Sequence, residues 1–203
     1  MDSPAEQIIG LYQRHARTWA ARRANQPGRL MEAAWLDRFL GLLPPCPSVL
    51  DIGCGSGEPI ARYLVEQGCI VTGVDSAPEM IAICQGRLPQ QRWGVADMRS
   101  LSLGHRFNGI LAWNSFFHLC QEDQRRMFPI FRSHAAPDAA LMFTSGPDHG
   151  ESIGSFEGEA LYHASLDGAD YRSILDENGF AVVAHMVEDP ACGRHTVWLA
   201  QGR

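Results

Sequence analysis

Ser48-Val-Leu-Asp-Ile-Gly-Cys-Gly-Ser-Gly-Glu-Pro59 is the stretch on which the reading of this chain turns. It reads as a buried strand running into a glycine-rich turn and then the first turn of a helix. Pro59 suits that helix start, where its missing N–H costs nothing. A turn of this kind brings bare backbone N–H groups and a helix N-terminus against a ligand, so a small polar ligand is expected on Gly53, Gly55 and Gly57. The spacing is G-x-G-x-G, not the G-x-G-x-x-G of dinucleotide sites. Glu58 stands where that fingerprint needs Gly or Ala, and its charge complements the helix start while opposing a pyrophosphate. Lys-Ser/Thr is absent after the loop, which removes a P-loop. Asp51 adds a negative charge at the strand end, so the ligand is pictured with an ammonium or sulfonium rather than a phosphate.

Three further apolar segments follow. Ile70-Val-Thr-Gly-Val-Asp75 ends on an acid about 20 residues after the loop, the place where Rossmann-type sheets hold ribose hydroxyls. Trp93-Gly-Val-Ala-Asp97-Met98 again ends on an acid, and Phe107-Asn-Gly-Ile-Leu-Ala-Trp113-Asn114 runs into aromatic and polar residues. Asp51, Asp75 and Asp97 would then line the C-terminal edge of one sheet, where open α/β sheets bind ligands.

In this order and spacing the four segments resemble the class I S-adenosylmethionine-dependent methyltransferases of the small-molecule type, over roughly residues 45–145. The resemblance implies a Rossmann-like, doubly wound α/β fold. Its seven-stranded sheet is mostly parallel with the last strand antiparallel, and helices cover both faces. It implies S-adenosylmethionine as cofactor and S-adenosylhomocysteine as product. Gly53 and Gly55 would approach the methionine part, Asp75 the ribose, and Asp97 and Met98 the adenine. Asp51, Cys54, Ser76 and Met80 would add cofactor contacts, and Trp113 or Asn114 would line the methyl-transfer cleft. Tyr12 and Trp19, in a first helix lying across the cofactor as a lid, would close over the sulfonium, where an aromatic face attracts a cation.

The 203 residues suffice for one domain with a sizeable core. Residues 1–43 are expected to form N-terminal helices and a lid, 44–145 the cofactor-binding core, and 146–203 a substrate-side loop and the last strands. Helical and strand patterns alternate throughout, as in a sheet covered by helices. Seventeen basic against 23 acidic residues give a net charge of −6, poor electrostatics for gripping nucleic acid. The six cysteines form no C-x-x-C pair, so neither a disulfide framework nor a zinc site is expected, and the composition suits a reducing cytoplasm. No apolar run approaches membrane-spanning length and the N-terminus is too charged for a signal peptide. Partners are therefore expected to be a small methyl acceptor and at most a second copy of the chain.

Helices are expected over Ala5–Asn25, with a break at Gln26-Pro27-Gly28, and over Arg29–Leu43. Ser76 is expected to cap the helix after the second strand, with Glu79 completing a capping box. Gly146–Gly158, rich in Gly, Ser and acids, reads as a long functional loop over the cleft. A helix over Gly168–Glu177 and strands over Phe180–Val187 and His195–Ala200 follow.

Methyl transfer needs mainly an aligned acceptor in a dry cleft, with a general base only when the acceptor arrives protonated. His118, in Trp113-Asn-Ser-Phe-Phe-His-Leu119, is the first candidate base. Tyr162, His163 and His149 come next, since their segment should fold over the cleft, and His15 accompanies Tyr12 and Trp19. Arg14, Arg17, Arg22 and Arg23 could receive an anion but fit a solvated helix face better. The same motifs also allow a cofactor-binding, catalytically inactive partner subunit, and an NAD-type oxidoreductase is opposed by Glu58.

Overall fold

Strand β1 (Ser48–Ile52) is buried at every residue but its first, as a parallel strand covered on both faces must be. The computed structural model describes residues 4–24 and 30–203. It places β1 third in a seven-stranded sheet of order β3-β2-β1-β4-β5-β9-β8. The other strands are β2 (Ile70–Asp75), β3 (Arg92–Val95), β4 (Phe107–Ala112), β5 (Ala135–Ser145), β8 (Phe180–Asp189) and β9 (His195–Gly202). Strands β1 to β5 pair in parallel, and β9 runs antiparallel to both β5 and β8. The chain winds outward through β2 and β3, then crosses back to β4 on the other side of β1. The crevice between β1 and β4 is therefore the topological switch point, where such sheets take ligands.

Helices cover both faces. On one, α5 (Gln121–His134) and α6 (Gly168–Glu177) enclose Phe116, Phe128, Phe131, Phe143, Tyr171 and Trp198. Phe116 meets four of the other rings edge-on or tilted, and burying such a ring contributes roughly 2–3 kcal/mol. On the other, α2 (Ala33–Leu40) and α3 (Ile60–Glu66) bury Trp35, Leu36, Phe39, Ala61 and Leu64. Helix α1 (Pro4–Ala24) crosses the C-terminal edge of the sheet and packs on α4 (Pro78–Arg87). It departs from helical geometry at His15.

Three expectations need correction. Helix α2 is shorter than Arg29–Leu43, because Leu42 and Leu43 close the C-terminus in turns onto Phe39 and Leu40. The expected break at Gln26-Pro27-Gly28 lies outside the described residues. Ser76 forms no capping box: Ala77 is the N-cap of α4, Asp75 accepts from its N–H at 2.9 Å, and Glu79 instead pairs with Arg17. Nor is Gly146–Gly158 a long loop, since β6 (Gly150–Phe156) pairs with β7 (Glu159–Ser165) in a hairpin. Glu157 and Gly158 both take positive φ, 52° and 82°, which matches the twist of a two-residue hairpin turn.

Candidate functional site

A cavity runs along the C-terminal ends of β1, β2 and β4. Asp51, Gly53, Cys54, Gly55, Asp75, Ser76, Met80, Asp97, Met98, Trp113, Asn114 and His118 line it from the sheet side. From α1, Ile8, Tyr12, Trp19 and Arg23 close it. Strand order puts Asp97, Asp75, Asp51 and Trp113 in that sequence along the edge.

The glycine loop acts by leaving room. Gly53 has φ of +73° and a Cβ there would stand 2.2 Å from that of Ser115; at Gly55, φ is +53° and a Cβ would meet the Trp19 ring at 3.0 Å. The loop's N–H groups are not bare. Gly53 and Cys54 donate to Val74 O, Gly57 to Cys54 O, and Gly55 to Asp75 Oδ2 at 3.0 Å. This corrects the expectation of a donor cradle and leaves little for a pyrophosphate. Glu58 proves a weaker argument against phosphate than its position suggests, because Arg62 and Arg87 both bind its carboxylate.

Asp75 is half-buried. Burial raises its pKa, while backbone N–H groups led by Ala77 and Gly55 oppose the rise. Asp51 is buried; desolvation and then the charge of Asp75 push it up to about 7. A carboxyl so placed gains most from a neighbouring cation. Asp97 differs: Arg99 clasps both its oxygens, at 2.6–3.1 Å, and holds its pKa below the ordinary value. Its carboxylate is thus held by Arg99 while the residue lines the cavity. Cys54 turns its thiol toward Gly55 O, which also accepts from Cys84.

Trp113 is buried in the α2–α3 core, and its Nε1–H has no hydrogen-bond partner among the described residues. Asn114 takes φ of 50°, held by Thr144 on one side and by its amide, 2.9 Å from His195 Nε2, on the other.

His118 lies in a short 3-10 turn, Phe116–His118, after β4. Its Nδ1 sits 2.7 Å from the Tyr162 carbonyl, which only accepts, so that nitrogen carries the proton. Nε2 then accepts from the Tyr12 hydroxyl at 3.0 Å. Burial lowers the His118 pKa to about 4, so the ring is neutral at neutral pH. Burial, reinforced by Asp75, raises that of Tyr12. Tyr162 reaches this chain through its backbone alone. Its ring packs on Ile8 and Ala164, away from the cavity lining, and desolvation followed by Glu151 pushes its phenol up to about 12. His163 lies tilted beside His118, centroids 4.8 Å apart, and like exposed His149 does not line the cavity.

The basic residues of α1 divide. Arg14 and His15 bind Glu159, Arg22 binds Glu157 and Arg17 binds Glu79, all near the surface. Arg23 turns inward to buried Glu32 and lines the cavity. Sequence reasoning placed it on a solvated face; the signal that marks it is its spacing of four from Trp19, itself seven from Tyr12.

This sheet, with one reversed strand and an acid-lined switch point, defines the class I methyltransferase fold. Residues 49–138 match the methyltransferase-domain family. It is 32 % identical over 101 residues to a dTDP-3-amino-3,6-dideoxy-alpha-D-glucopyranose N,N-dimethyltransferase of Streptomyces fradiae, covering 49 % of this chain and 39 % of that one. It is also 32 % identical over 134 residues to the magnesium-protoporphyrin O-methyltransferase of Rhodobacter capsulatus, covering 62 % and 57 %. Thus the matched stretches span only part of these relatives' own length. Among solved structures, the S-adenosylmethionine-bound amino pentose methyltransferase CalS10 of Micromonospora echinaspora superposes with a TM-score of 0.72 at 20 % identity, over 92 % of this chain and 96 % of that one. The Burkholderia thailandensis 1,6-didemethyltoxoflavin-N1-methyltransferase with bound S-adenosylhomocysteine gives 0.74 at 20 % identity, over 100 % and 91 %. At such identity the likeness establishes the fold.

Proposed function

We propose that this chain is an S-adenosylmethionine-dependent methyltransferase acting on a small-molecule nitrogen or oxygen. The observation that carries the reading is a single cavity joining the acid-lined switch point to the Tyr12–His118 pair. The residues fit the cofactor: Asp75 suits a ribose, Asp51 a cation, and the glycine loop admits close approach without offering phosphate donors. When bound, S-adenosylmethionine supplies a methyl group on a positively charged sulfur, and the acceptor's lone pair displaces it in line.

The chain's own part is placement and proton removal. Tyr12 and Trp19 screen the cavity from water, which favours loss of charge at sulfur. An acceptor that arrives protonated passes its proton to the Tyr12 hydroxyl as Tyr12 yields its own to His118 Nε2. The Tyr162 carbonyl fixes the tautomer that makes Nε2 the acceptor. The raised pKa of Tyr12 favours a concerted relay over a standing phenolate. The imidazolium that the relay leaves on His118, whose pKa burial lowers to about 4, returns its proton through Tyr12 to solvent as product leaves. The relatives named above act, by name, on amino sugars and on a porphyrin, which supports a small acceptor. We read residues 1–203 as one catalytic unit, a monomer or homodimer working in the cytoplasm. The six free thiols agree with that compartment, and no helix of the described residues is long and apolar enough to cross a membrane.

Calorimetric titration with S-adenosylmethionine, S-adenosylhomocysteine and NAD tests the cofactor. Micromolar binding of the first two with none of NAD is expected; silence from all three sinks the reading. Transfer of a radiolabelled methyl group to a panel of amines and hydroxyl compounds then separates an enzyme from an inactive binding subunit.

A further inference from the structure

We propose that Cys54 and Cys84 form a peroxide-sensitive thiol pair whose oxidation to a disulfide distorts the glycine loop and weakens cofactor binding. The pair stands on geometry alone; its consequence for binding rests on the cofactor reading above.

Far apart in sequence, the two thiols converge on one atom. Cys84, in α4, directs its S–H to Gly55 O at 3.1 Å, and Cys54, in the loop, directs its own to the same oxygen at 3.8 Å. Ile81 and Trp93 complete the packing around both sulfurs. The backbone leaves room for them: a Cβ at Gly73 would stand 3.0 Å from Cys54 Sγ, and one at Gly57 3.2 Å from Cys84 Sγ. Burial, then the Cys84 thiol beside it, push the pKa of Cys54 up, and Asp51 and Asp75 add to the rise.

Access separates the two sulfurs. Cys84 is fully buried, whereas Cys54 is 9 % exposed and lines the cavity. An oxidant therefore arrives through the cavity and meets Cys54 first. Its slight exposure disfavours a bulky oxidant, and the neighbouring acids disfavour an anionic one. Hydrogen peroxide, small and uncharged, meets both conditions. The Cys54 thiolate sulfur attacks one peroxide oxygen, the O–O bond breaks, and the departing hydroxide leaves as water with the thiol's proton, giving a sulfenic acid. The Cys84 sulfur then attacks the Cys54 sulfur, the S–O bond breaks, and a second water departs with the Cys84 proton. Two thiols are thereby oxidised to one disulfide, and one peroxide is reduced to two waters. The raised pKa keeps thiolate scarce at neutral pH, so the reaction should quicken as pH rises.

The bond acts on the loop in two ways. Gly55 O loses both S–H donors, and Cys54 is drawn toward α4. Cys54 N–H donates to Val74 O at 3.0 Å and Gly55 N–H to Asp75 Oδ2 at 3.0 Å, contacts that hold the loop against β2. A link to α4 competes with both, and Gly53, Cys54 and Gly55 line the cavity.

The test treats the whole reduced chain with hydrogen peroxide at about pH 8, where thiolate is more abundant, alkylates the remaining thiols and maps the digest by mass spectrometry. A peptide pair joined through Cys54 and Cys84 is expected, with none in Cys84→Ala. By calorimetry, oxidised protein should bind S-adenosylhomocysteine at least about tenfold more weakly, and dithiothreitol should restore the affinity. Reduced Cys84→Ala, altered outside the cavity lining, should bind within about threefold of unaltered protein and keep that affinity after peroxide. Should Cys84→Ala fail to fold, Cys84→Ser is read in the same way. Cys54 recovered as sulfinic acid without a link, or a link joining other cysteines only, overturns the pair. A Cys54–Cys84 link that leaves affinity unchanged overturns the switch, as does a loss of affinity that persists in the Cys84 variant. Absence of the link from protein that binds S-adenosylhomocysteine defeats this proposal alone. Reduced protein that binds none defeats the cofactor reading and the switch together.

Discussion

The two walls of the cavity are built by different physics. The sheet wall is fixed by parallel register and by buried groups: Asp75 holds the glycine loop through Gly55 N and starts α4 through Ala77 N, and Ser115 Oγ donates to Ile52 O at 2.7 Å. The covering wall, α1 with the β6–β7 hairpin, is joined by exposed ion pairs from Arg14, His15 and Arg22 to Glu157 and Glu159, around a small apolar patch of Ile8, Tyr162 and Ala164. Buried charged hydrogen bonds are worth far more than exposed ion pairs. On the proposed reading, the rigid half would receive the cofactor and the weakly attached half would close over it.

Asp75→Ala should break the rigid wall most severely. It removes the expected ribose acceptor and the anchor of Gly55 together, so affinity for S-adenosylhomocysteine should fall about 10²- to 10³-fold by calorimetry. A loss below tenfold would mean that this carboxylate neither meets ribose nor holds the loop. His118→Ala touches the other kind of function. Turnover should fall about 10²-fold or more with S-adenosylhomocysteine affinity nearly unchanged, and Tyr12→Phe should match it if the hydroxyl relays the proton. Unchanged turnover of His118→Ala with a true acceptor ends its assignment as base.

Asp51 sharpens the picture through pH. Its carboxyl ionises near 3.8 in the unfolded chain and near 7 when folded. Between those values the folded state holds the extra proton, so this group's contribution to stability falls as pH rises through the window. A ligand cation favours the ionised form. Affinity should therefore rise from pH 6 to pH 8, approaching about tenfold per unit below the folded pKa, with a proton released on binding. Titrations in two buffers of different ionisation enthalpy would detect that proton, and Asp51→Asn should flatten the profile. A flat profile in the unaltered protein would place the cation elsewhere.

The rigid wall is also the part that was legible in the sequence. Its strands are apolar runs, their acids fall at strand ends, and the glycine loop lies within ten consecutive residues, so local pattern carries both fold and site. Where local pattern misled, partners distant in sequence had decided the outcome. Glu58 reads as repulsive until Arg87 from α4 reaches it. Arg23 and Glu32, nine residues apart, pair in a way that composition does not announce. The hairpin escaped notice because β6 buries almost nothing: Gly150, Ser152, Gly154 and their neighbours lack the apolar alternation by which strands are recognised. Its turn residues, Glu157-Gly158, are not the Asn-Gly pair that advertises a tight hairpin.

The weakly held wall gives the smallest effect and the most direct test of the contrast. Glu159 accepts from both Arg14 and His15, and Arg14 and then His15 hold its pKa down to about 2, yet the three side chains are 25–55 % exposed. Pairs so exposed are screened by salt and contribute little to folding, so Glu159→Gln should leave the melting temperature almost unmoved. Closure is a finer balance than folding. Loss of the tie should speed release of S-adenosylhomocysteine a few-fold, read by stopped flow from the fluorescence of Trp19, whose ring lies against Gly55. Raising salt should speed release from the unaltered protein to the same extent and leave Glu159→Gln nearly insensitive, because screening and substitution remove the same attraction. Release indifferent to both would mean that the apolar patch around Ile8 holds the cover, and that the two walls are equally fixed.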